Sequence, residues 1–243
     1  MKDIHSHLIY GVDDGSKSLE ESIELLKKME KAGTTDLMLT PHYVEKSKFS
    51  CNNKCKKEIF NKLKESAEKE NININLYYGN EVFFTDKFLK LIKKGEIRTL
   101  NNSKYLLFEF PMNQIYQNTD EVISYIISKG CVPVLAHPER YSKFLKSPDI
   151  AAEYLRMGVL LQGNFTSLFG KYGSKSKKLL TYYLKKHWIA FLGSDTHSDE
   201  IKYNEKKLKS KLLRITKDEE YVDDLLYNNF DKVINNEDIG ILR

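Results

Sequence analysis

The chain alternates short apolar runs with longer stretches in which apolar residues recur every three or four positions. The first of the longer stretches carries Leu19, Ile23 and Met29 on one face, and a glycine follows it, so it predicts a helix that ends there. The next run, DLMLT, is short and apolar and predicts a buried strand. This alternation continues through most of the chain.

The same criteria predict seven strands and eight helices. The strands are expected at 3–7, 36–40, 74–79, 105–110, 132–136, 159–162 and 188–192. The helices are expected at 18–32, 54–69, 86–94, 119–129, 148–157, 174–186, 204–213 and 217–227. Alternating strands and helices imply parallel strands with helical crossovers, so the fold class is α/β. No repeat or linker marks a boundary, and we expect a single domain over 1–243.

Composition excludes several classes of protein. Hydrophobic residues make up 41% and charged residues 30%, which is typical of a globular chain. The net charge of +5 is small and scattered, so it does not indicate a nucleic-acid partner. No apolar run reaches the roughly 18 residues of a membrane span, and the N-terminus lacks the apolar region of a signal peptide. Three cysteines, an odd number, argue against a disulfide framework, so we expect a cytoplasmic protein.

Five of the six histidines lie at the end of a predicted strand or follow it closely. They are His5, His7, His42, His137 and His197, whereas His187 precedes a strand. Carboxylates hold equivalent positions at Asp14, Glu81, Glu109 and Asp195. A lone histidine near a strand end is usually an ordinary core or surface residue. Five of them beside four carboxylates indicate a metal site, because the polar residues after parallel strands collect on one face.

The chemistry of this group favours catalysis. His5 and His7 lie on one face of their strand, because side chains repeat every two residues. Imidazole and carboxylate together suit Zn²⁺, Mn²⁺ or Fe²⁺, and a site without thiols disfavours a purely structural zinc cluster. Nine candidates exceed the needs of one ion, so we expect two or three ions that share carboxylates. Such clusters make hydroxide at neutral pH and clamp phosphoryl oxygens, which predicts hydrolysis of phosphate esters.

The motifs also resemble a known family. In chain order they are DIHSH with GVDDG, TPHY, GNE, FEF, HPERY and GSDTH. This set resembles the polymerase and histidinol phosphatase (PHP) superfamily. Within it, the set is similar to the bacterial protein-tyrosine phosphatases that are encoded with capsule or exopolysaccharide genes. The resemblance implies the PHP fold, a distorted (β/α)₇ barrel of the TIM type, with a metal centre that is often loaded with manganese.

The resemblance further implies how the nine side chains are shared among ions. The implied sets are His5, His7, Glu81 and Asp195 for one ion, Glu81, Glu109 and His137 for a second, and Asp14, His42 and His197 for a third. We therefore expect Mn²⁺ in two or three positions, with Fe²⁺, Zn²⁺ and Co²⁺ as alternatives that share these ligand types.

Phosphate binding is assigned by the resemblance to Arg140, in HPERY. A guanidinium is a forked, charged donor that matches phosphate, although a surface pair with Glu139 is the alternative. Asp13 either supports a ligand or forms the turn, and Asn164 either supports the phosphate pocket or makes an ordinary loop hydrogen bond. Family members carry a second arginine after the SD-x-H motif, and 198–207 contains none. The sequence does not identify what replaces it.

The implied activity is hydrolysis of phosphotyrosine, on a bacterial tyrosine autokinase that controls capsule or exopolysaccharide synthesis, by metal-activated hydroxide. A cysteine-dependent tyrosine phosphatase needs Cys-x₅-Arg, and no cysteine here has an arginine six residues later. A phosphocysteine is therefore not expected. Two alternatives stay open, namely a PHP-type phosphatase of a small metabolite such as histidinol phosphate and a non-catalytic metal-binding scaffold. A homo-oligomer also stays open.

Overall fold

The computed structural model describes residues 1–44, 52–85, 87–197 and 201–240. Its strands are β1 (Lys2–Ser6), β2 (Asp36–Leu39), β3 (His42–Tyr43), β4 (Asn75–Tyr78), β5 (Glu81–Phe83), β6 (Tyr105–Glu109), β7 (Val132–Ala136), β8 (Leu160–Asn164) and β9 (Ile189–Gly193). Its α-helices are α1 (Leu19–Lys31), α2 (Asn53–Lys69), α3 (Phe88–Lys93), α4 (Thr119–Ser128), α5 (Ser142–Lys146), α6 (Ile150–Arg156), α7 (Phe165–Leu168), α8 (Gly173–Lys185), α9 (Glu205–Thr216), α10 (Glu219–Asp223) and α11 (Asn229–Ile234). A π-helical turn, Asp224–Asn228, joins the last two helices.

The strands form two sheets in which every pair is parallel, so the predicted α/β class is confirmed. β1, β2 and β4 form a three-stranded sheet, and the other six lie in the order β3-β5-β6-β7-β8-β9. Only two residues separate β2 from β3 and β4 from β5, so each of these segments passes from one sheet to the other. The end of β1 also contacts the residues after β9. The backbone N–H of His7 donates to the carbonyl of Thr196 over 2.8 Å.

Three clusters of buried apolar residues hold the layers together. The six-stranded sheet packs on the later helices, and the three-stranded sheet packs on α1 and α2. The third cluster lies among the strands, where Ile4 and Met38 from one sheet meet Leu107 and Val134 from the other. Side chains from both sheets therefore fill one interior, and the polar residues at the carboxyl ends of the strands lie above it.

The predicted strands all recur, with two differences at the site. The sequence placed His42 and Glu81 shortly after predicted strands, and in the structure each residue begins a further short strand, β3 or β5. Pairing between neighbouring strands creates these two elements: His42 is in register with Glu81, and Glu81 with Leu107. They are too short to give a periodic signal.

Among the helices, α1 confirms its prediction, with Ser18 accepting a hydrogen bond from the backbone of Glu21 as N-cap. The final prediction, 217–227, was wrong at both ends. Lys217 adopts a left-handed conformation (φ 59°) that ends α9, and helical structure then continues to the end of α11. The sequence missed the short helices α5 and α7. Asp86, the first residue of a predicted helix, and residues 198–200 of the stretch without arginine lie outside the described residues.

Two expectations drawn from composition have different outcomes. No helix in the described ranges has the length and apolarity needed to cross a membrane. The cysteine argument was wrong, because Cys55 is disulfide-bonded while Cys131 is free. Cysteine usage therefore gives no support to a reducing compartment, and the cytoplasmic location stays a prediction.

Candidate metal centre

The structure brings all nine candidate ligands together where the strands end or cross between sheets. In chain order they lie in β1 (His5), after it (His7, Asp14), at the start of β3 (His42) and β5 (Glu81), at the end of β6 (Glu109), and after β7 (His137) and β9 (Asp195, His197). Eight of the nine side chains contact at least one of the other eight through atoms no more than 3.4 Å apart. The exception, Asp195, approaches two of the histidines to 3.5 Å.

The first group of donor atoms surrounds one point. Nε2 of His5 and Nε2 of His7 are 3.0 Å apart, and Oε2 of Glu81 is 3.3 Å from each. Oδ1 of Asp195 lies 3.8 and 3.5 Å from the same two nitrogens. Two donor atoms that each lie about 2.1 Å from one ion are about 3.0–3.4 Å apart when the donor–ion–donor angle is between about 90° and 109°. Most of these spacings therefore fit a shared divalent ion.

His42 joins two further groups through its two ring nitrogens. Nδ1 lies 3.0 Å from Oε2 of Glu81 and 3.1 Å from Oε1 of Glu109. Nε2 lies 3.4 Å from Oδ1 of Asp14, and Nε2 of His197 lies at the same distance from that oxygen. Both sets, the second together with His7, are close enough to hold an ion.

His137 lies beside both of the glutamates with which the resemblance groups it. Its Nε2 is 2.9 Å from Oε1 of Glu81, but 3.6 Å from Oε2 of Glu109. In this geometry His42, rather than His137, completes the tightest group with the two glutamates. His137 therefore lies beside the shared carboxylate Glu81 and at the edge of that group.

Buried atoms without hydrogen-bond partners test whether a cation fits. Among the described residues, Nδ1 of His42 and Oε2 of Glu81 make no hydrogen bond although they are 3.0 Å apart. Burying unsatisfied polar atoms costs free energy. Both atoms carry lone pairs in the metal-ligating form, so a divalent cation between them would satisfy both. The donor set, imidazole and carboxylate without thiol, suits the same ions.

The charges in this cluster depend on one another. Burial opposes the ionisation of Glu81, but the positive charges of His5 and His42 outweigh it and hold the pKa of Glu81 well below its usual value. Burial and the charge of His42 lower the pKa of His7, but the hydrogen bond with Asp13 and the nearby carboxylate of Glu81 outweigh them and raise it to about 9. Protonated imidazoles thus balance the negative charge of the carboxylates. Bound cations would take over this role.

Two residues outside the nine orient the first histidines. Oδ2 of Asp13 accepts hydrogen bonds from Nδ1 of His7 and from the backbone of His42, both over 2.9 Å, and its Oδ1 accepts from the backbone of Gly15. Asp13 thus both supports a ligand and forms the turn. Oε1 of Gln162 lies 2.8 Å from Nδ1 of His5. Gln162 was not predicted, although a glutamine at the end of an otherwise apolar predicted strand (159–162) was an available signal.

Unusual backbone conformations and close packing fix some ligands in place. His137 (φ 34°) and Asp195 (φ 52°) both adopt the left-handed region, which non-glycine residues occupy at a cost and which occurs often at functional sites. Gly193 lies so close to β1 that a Cβ there would be 2.5 Å from Cβ of His5. The residue before Ser194 therefore has to be glycine for His5 to keep its position.

Arg140 lies at the rim and contacts the cluster through Asp195. Its Nη1 donates to Oδ2 of Asp195 over 2.6 Å, and the same oxygen accepts from Nδ2 of Asn164 (2.8 Å) and from the hydroxyl of Tyr172 (2.9 Å). The guanidinium also stacks on the ring of Tyr172, 4.3 Å from its centre. The alternative pairing with Glu139 does not occur, because that buried carboxylate accepts from the backbone of Asn164 and from Ser167.

The chain is similar to known proteins over most of its length. The family model described as capsular polysaccharide synthesis, CpsB/CapC, matches residues 1–235. This chain belongs to the CpsB/CapC family. CapC of Staphylococcus aureus is 36% identical over 217 residues, which cover 86% of this chain and 85% of CapC. The tyrosine-protein phosphatase CpsB of Streptococcus pneumoniae is 34% identical over 203 residues, which cover 82% of this chain and 83% of CpsB.

A solved structure extends the comparison to the whole fold of this CpsB/CapC chain. It comes from the crystal structures of YwqE from Bacillus subtilis and CpsB from Streptococcus pneumoniae, which are described as unique metal-dependent tyrosine phosphatases. It superposes with a TM-score of 0.90 and 25% identity, over 99% of this chain and 96% of the other. The family expected from the motifs is therefore confirmed.

Proposed function

We propose that this CpsB/CapC protein is a metal-dependent protein-tyrosine phosphatase. The observation that carries the proposal is the convergence of donor atoms from His5, His7, Glu81 and Asp195 beside the guanidinium of Arg140. A cation cluster next to an arginine is suited to the charge of a transferring phosphoryl group. The relatives that are named tyrosine-protein phosphatases supply the substrate class.

The residues that would hold metal are the nine candidates, arranged by this geometry into three groups. One group is His5, His7, Glu81 and Asp195, a second is His42, Glu81 and Glu109 with His137 at its edge, and a third is Asp14, His42, His197 and His7. We propose Mn²⁺ as the ion, in two or three positions. Bound divalent ions would supply hydroxide at neutral pH and charge that stabilises the phosphoryl oxygens.

The protein's own groups would position the substrate. A guanidinium has five donors, so Arg140 can hold Asp195 through Nη1 and reach a phosphate oxygen with others. Asp13 and Gln162 keep the ring nitrogens of His7 and His5 aimed at the centre. A phenolate leaving group has a pKa of about 10 and needs little help from a general acid. Nothing in this arrangement requires a cysteine nucleophile.

We further propose that the two sheets form one distorted barrel with seven strand positions in a single domain. Support comes from the shared interior cluster, from the passage of two segments between sheets, and from the hydrogen bonds between β1 and the residues after β9. The substrate would be a tyrosine-phosphorylated protein of capsule or exopolysaccharide synthesis, such as a bacterial tyrosine autokinase. The family to which the chain belongs supports this partner.

The test measures phosphate release from a phosphotyrosine peptide with Mn²⁺, with a chelator, and with the variant Arg140→Ala. We expect turnover that the chelator abolishes and that Arg140→Ala lowers at least tenfold in kcat/KM, about 1.4 kcal/mol of transition-state stabilisation. Arg156→Ala is the matched control, because Arg156 is an exposed arginine in the last turn of α6.

The substrates separate the three hypotheses. Turnover of histidinol phosphate in preference to the peptide would refute the proposed substrate class and favour a metabolite phosphatase. Bound metal without turnover of either compound would favour the non-catalytic scaffold. Equal losses in Arg140→Ala and Arg156→Ala would show that the guanidinium at position 140 has no special role.

A further inference from the structure

A groove lies between α5 and α8, two helices that begin next to residues of the candidate site. Its volume is about 580 Å³, and it is lined by Ser142, Leu145, Lys146, Pro148, Lys175, Lys178, Leu179 and Tyr182. Helix α5 begins two residues after Arg140, and α8 begins directly after Tyr172. Because Arg140 stacks on Tyr172, the first turns of both helices start from the same point at the rim of the site.

The groove runs away from that point along both helices. On α8 its residues are spaced three, four and seven positions apart, so they form one face of the helix. At the far end, the hydroxyl of Tyr183 donates to the carbonyl of Pro148 over 3.0 Å, which joins the end of α8 to the segment after α5. Seven residues of helix span about 10 Å. That length matches about three residues of an extended peptide.

The lining combines apolar surface with positive charge. Leu145, Pro148 and Leu179 are apolar, and the three charged residues of the lining are all lysines, at positions 146, 175 and 178. The nearby carboxylate Asp149 accepts a hydrogen bond from the hydroxyl of Tyr182 over 2.6 Å. The groove is therefore complementary to a segment with acidic side chains and some apolar surface.

The positions of two lysines on α8 also favour an acidic binding partner. Lys175 and Lys178 lie in the first half of α8, whose first turn has no acidic residue. The N-terminal end of a helix carries partial positive charge and favours acidic side chains, so lysines near it destabilise the helix. A role for these charges outside the helix accounts for their placement.

We propose that this groove binds an acidic segment of the substrate polypeptide next to the phosphotyrosine. The inference rests on the proposed function and adds a preference among its substrates. With the phosphate at Arg140, the chain on one side of the phosphotyrosine enters the groove. Glu or Asp side chains of that segment meet Lys175 and Lys178, while its apolar parts pack on the partly exposed Leu145 and Pro148.

The experiment compares phosphotyrosine peptides that have three glutamates, three alanines or three lysines on the N-terminal or the C-terminal side. For the wild type with Mn²⁺, we expect the best glutamate peptide to exceed the alanine peptide about tenfold in kcat/KM, mainly through KM. The preference should shrink as ionic strength rises. The same peptides with a non-hydrolysable phosphonate in place of the phosphate should give inhibition constants in the same order.

Variants of α8 assign the effect to the groove. Lys175→Ala and Lys178→Ala should each lower the glutamate preference about threefold, and Lys178→Glu should shift it towards the lysine peptide. Lys177→Ala is the matched control, because this exposed lysine belongs to the same helix but does not line the groove. We expect the first two alanine variants to keep or slightly raise Tm, since each removes a charge that opposes the helix dipole.

The outcomes distinguish the role of the groove from the phosphatase activity on which it depends. Efficient hydrolysis of all peptides without a glutamate preference would overturn the proposed role of the groove but not the proposed phosphatase activity. An equal loss of the glutamate preference in Lys177→Ala and Lys178→Ala would have the same meaning. No hydrolysis of any peptide with metal bound would overturn the proposed function and, with it, the occupant of the groove.

Discussion

Tyr172→Phe is the perturbation that tests the candidate site most directly. The hydroxyl of Tyr172 donates to Oδ2 of Asp195 over 2.9 Å, while the opposite oxygen, Oδ1, faces His5 and His7. The phenylalanine variant removes this hydrogen bond and keeps the ring on which the Arg140 guanidinium stacks. It therefore changes the support of a candidate ligand without removing any candidate ligand.

The expected loss follows from the remaining contacts. A hydrogen bond to a charged acceptor contributes about 1.5–3 kcal/mol. Oδ2 of Asp195 keeps its bonds from Arg140 (2.6 Å) and Asn164 (2.8 Å), and Tyr172 is half-buried, so we take the lower end of that range. About 1.4 kcal/mol corresponds to a tenfold weaker Mn²⁺ affinity, which is within the range for groups that orient metal ligands.

The assay measures Mn²⁺ binding by competition with a chelating dye, and then phosphopeptide kinetics at saturating Mn²⁺. Tyr172→Phe should weaken metal binding and leave KM nearly unchanged. Tyr172→Leu should also raise KM, because it removes the stacking surface of Arg140. Tyr227→Phe is the control, since it removes a hydroxyl that bonds Glu205 instead of a residue of the site. Unchanged Mn²⁺ affinity in Tyr172→Phe, or identical behaviour of the Phe and Leu variants, would refute this reasoning.

Two further predictions concern the residues that hold the histidines in place. Gly193→Ala should destabilise the fold by more than about 3 kcal/mol and weaken Mn²⁺ binding, because the new Cβ would lie 2.5 Å from Cβ of His5. The comparison variant is Gly163→Ala, whose new Cβ would lie at the same 2.5 Å from a leucine methyl group. It should lower the free energy of unfolding in urea by only about 1–2 kcal/mol and leave Mn²⁺ affinity unchanged. Equal losses of stability in the two variants would contradict this difference. Asp13→Asn should weaken Mn²⁺ binding about 10- to 100-fold, because a neutral amide supports Nδ1–H of His7 less well; calorimetry that gives the wild-type affinity would contradict this role.

The sequence was sufficient for the seven strand positions, because buried parallel strands are continuous apolar runs. β7 was predicted with its observed bounds, Val132–Ala136. The short strands β3 and β5 could not be predicted in this way. Their residues include His42 and Glu81, whose extended conformation depends on pairing with neighbours from distant parts of the chain. Local pattern carries no information about such pairing.

Much of the candidate site was also accessible from sequence, since the carboxyl ends of parallel strands meet on one face. Which atoms face each other was not accessible. The motifs group His137 with Glu81 and Glu109, but they do not indicate that His42 also lies 3.1 Å from Glu109. Tyr172 was missed for a similar reason: it precedes α8, in a segment with no motif, and its contact with Asp195 depends on how that segment packs.

Asp195 explains why the metal centre and phosphate binding should not behave as independent parts. One of its oxygens faces the histidines and the other accepts from Arg140, Asn164 and Tyr172. Replacing Arg140 therefore removes a donor to phosphate and also loosens a candidate metal ligand, and effects within such a shared network are not additive. A loss of activity in Arg140→Ala does not by itself separate these two causes. Tyr172→Phe does separate them, because it removes one support of Asp195 while the guanidinium keeps its charge, its stacking partner and its own bond to that carboxylate.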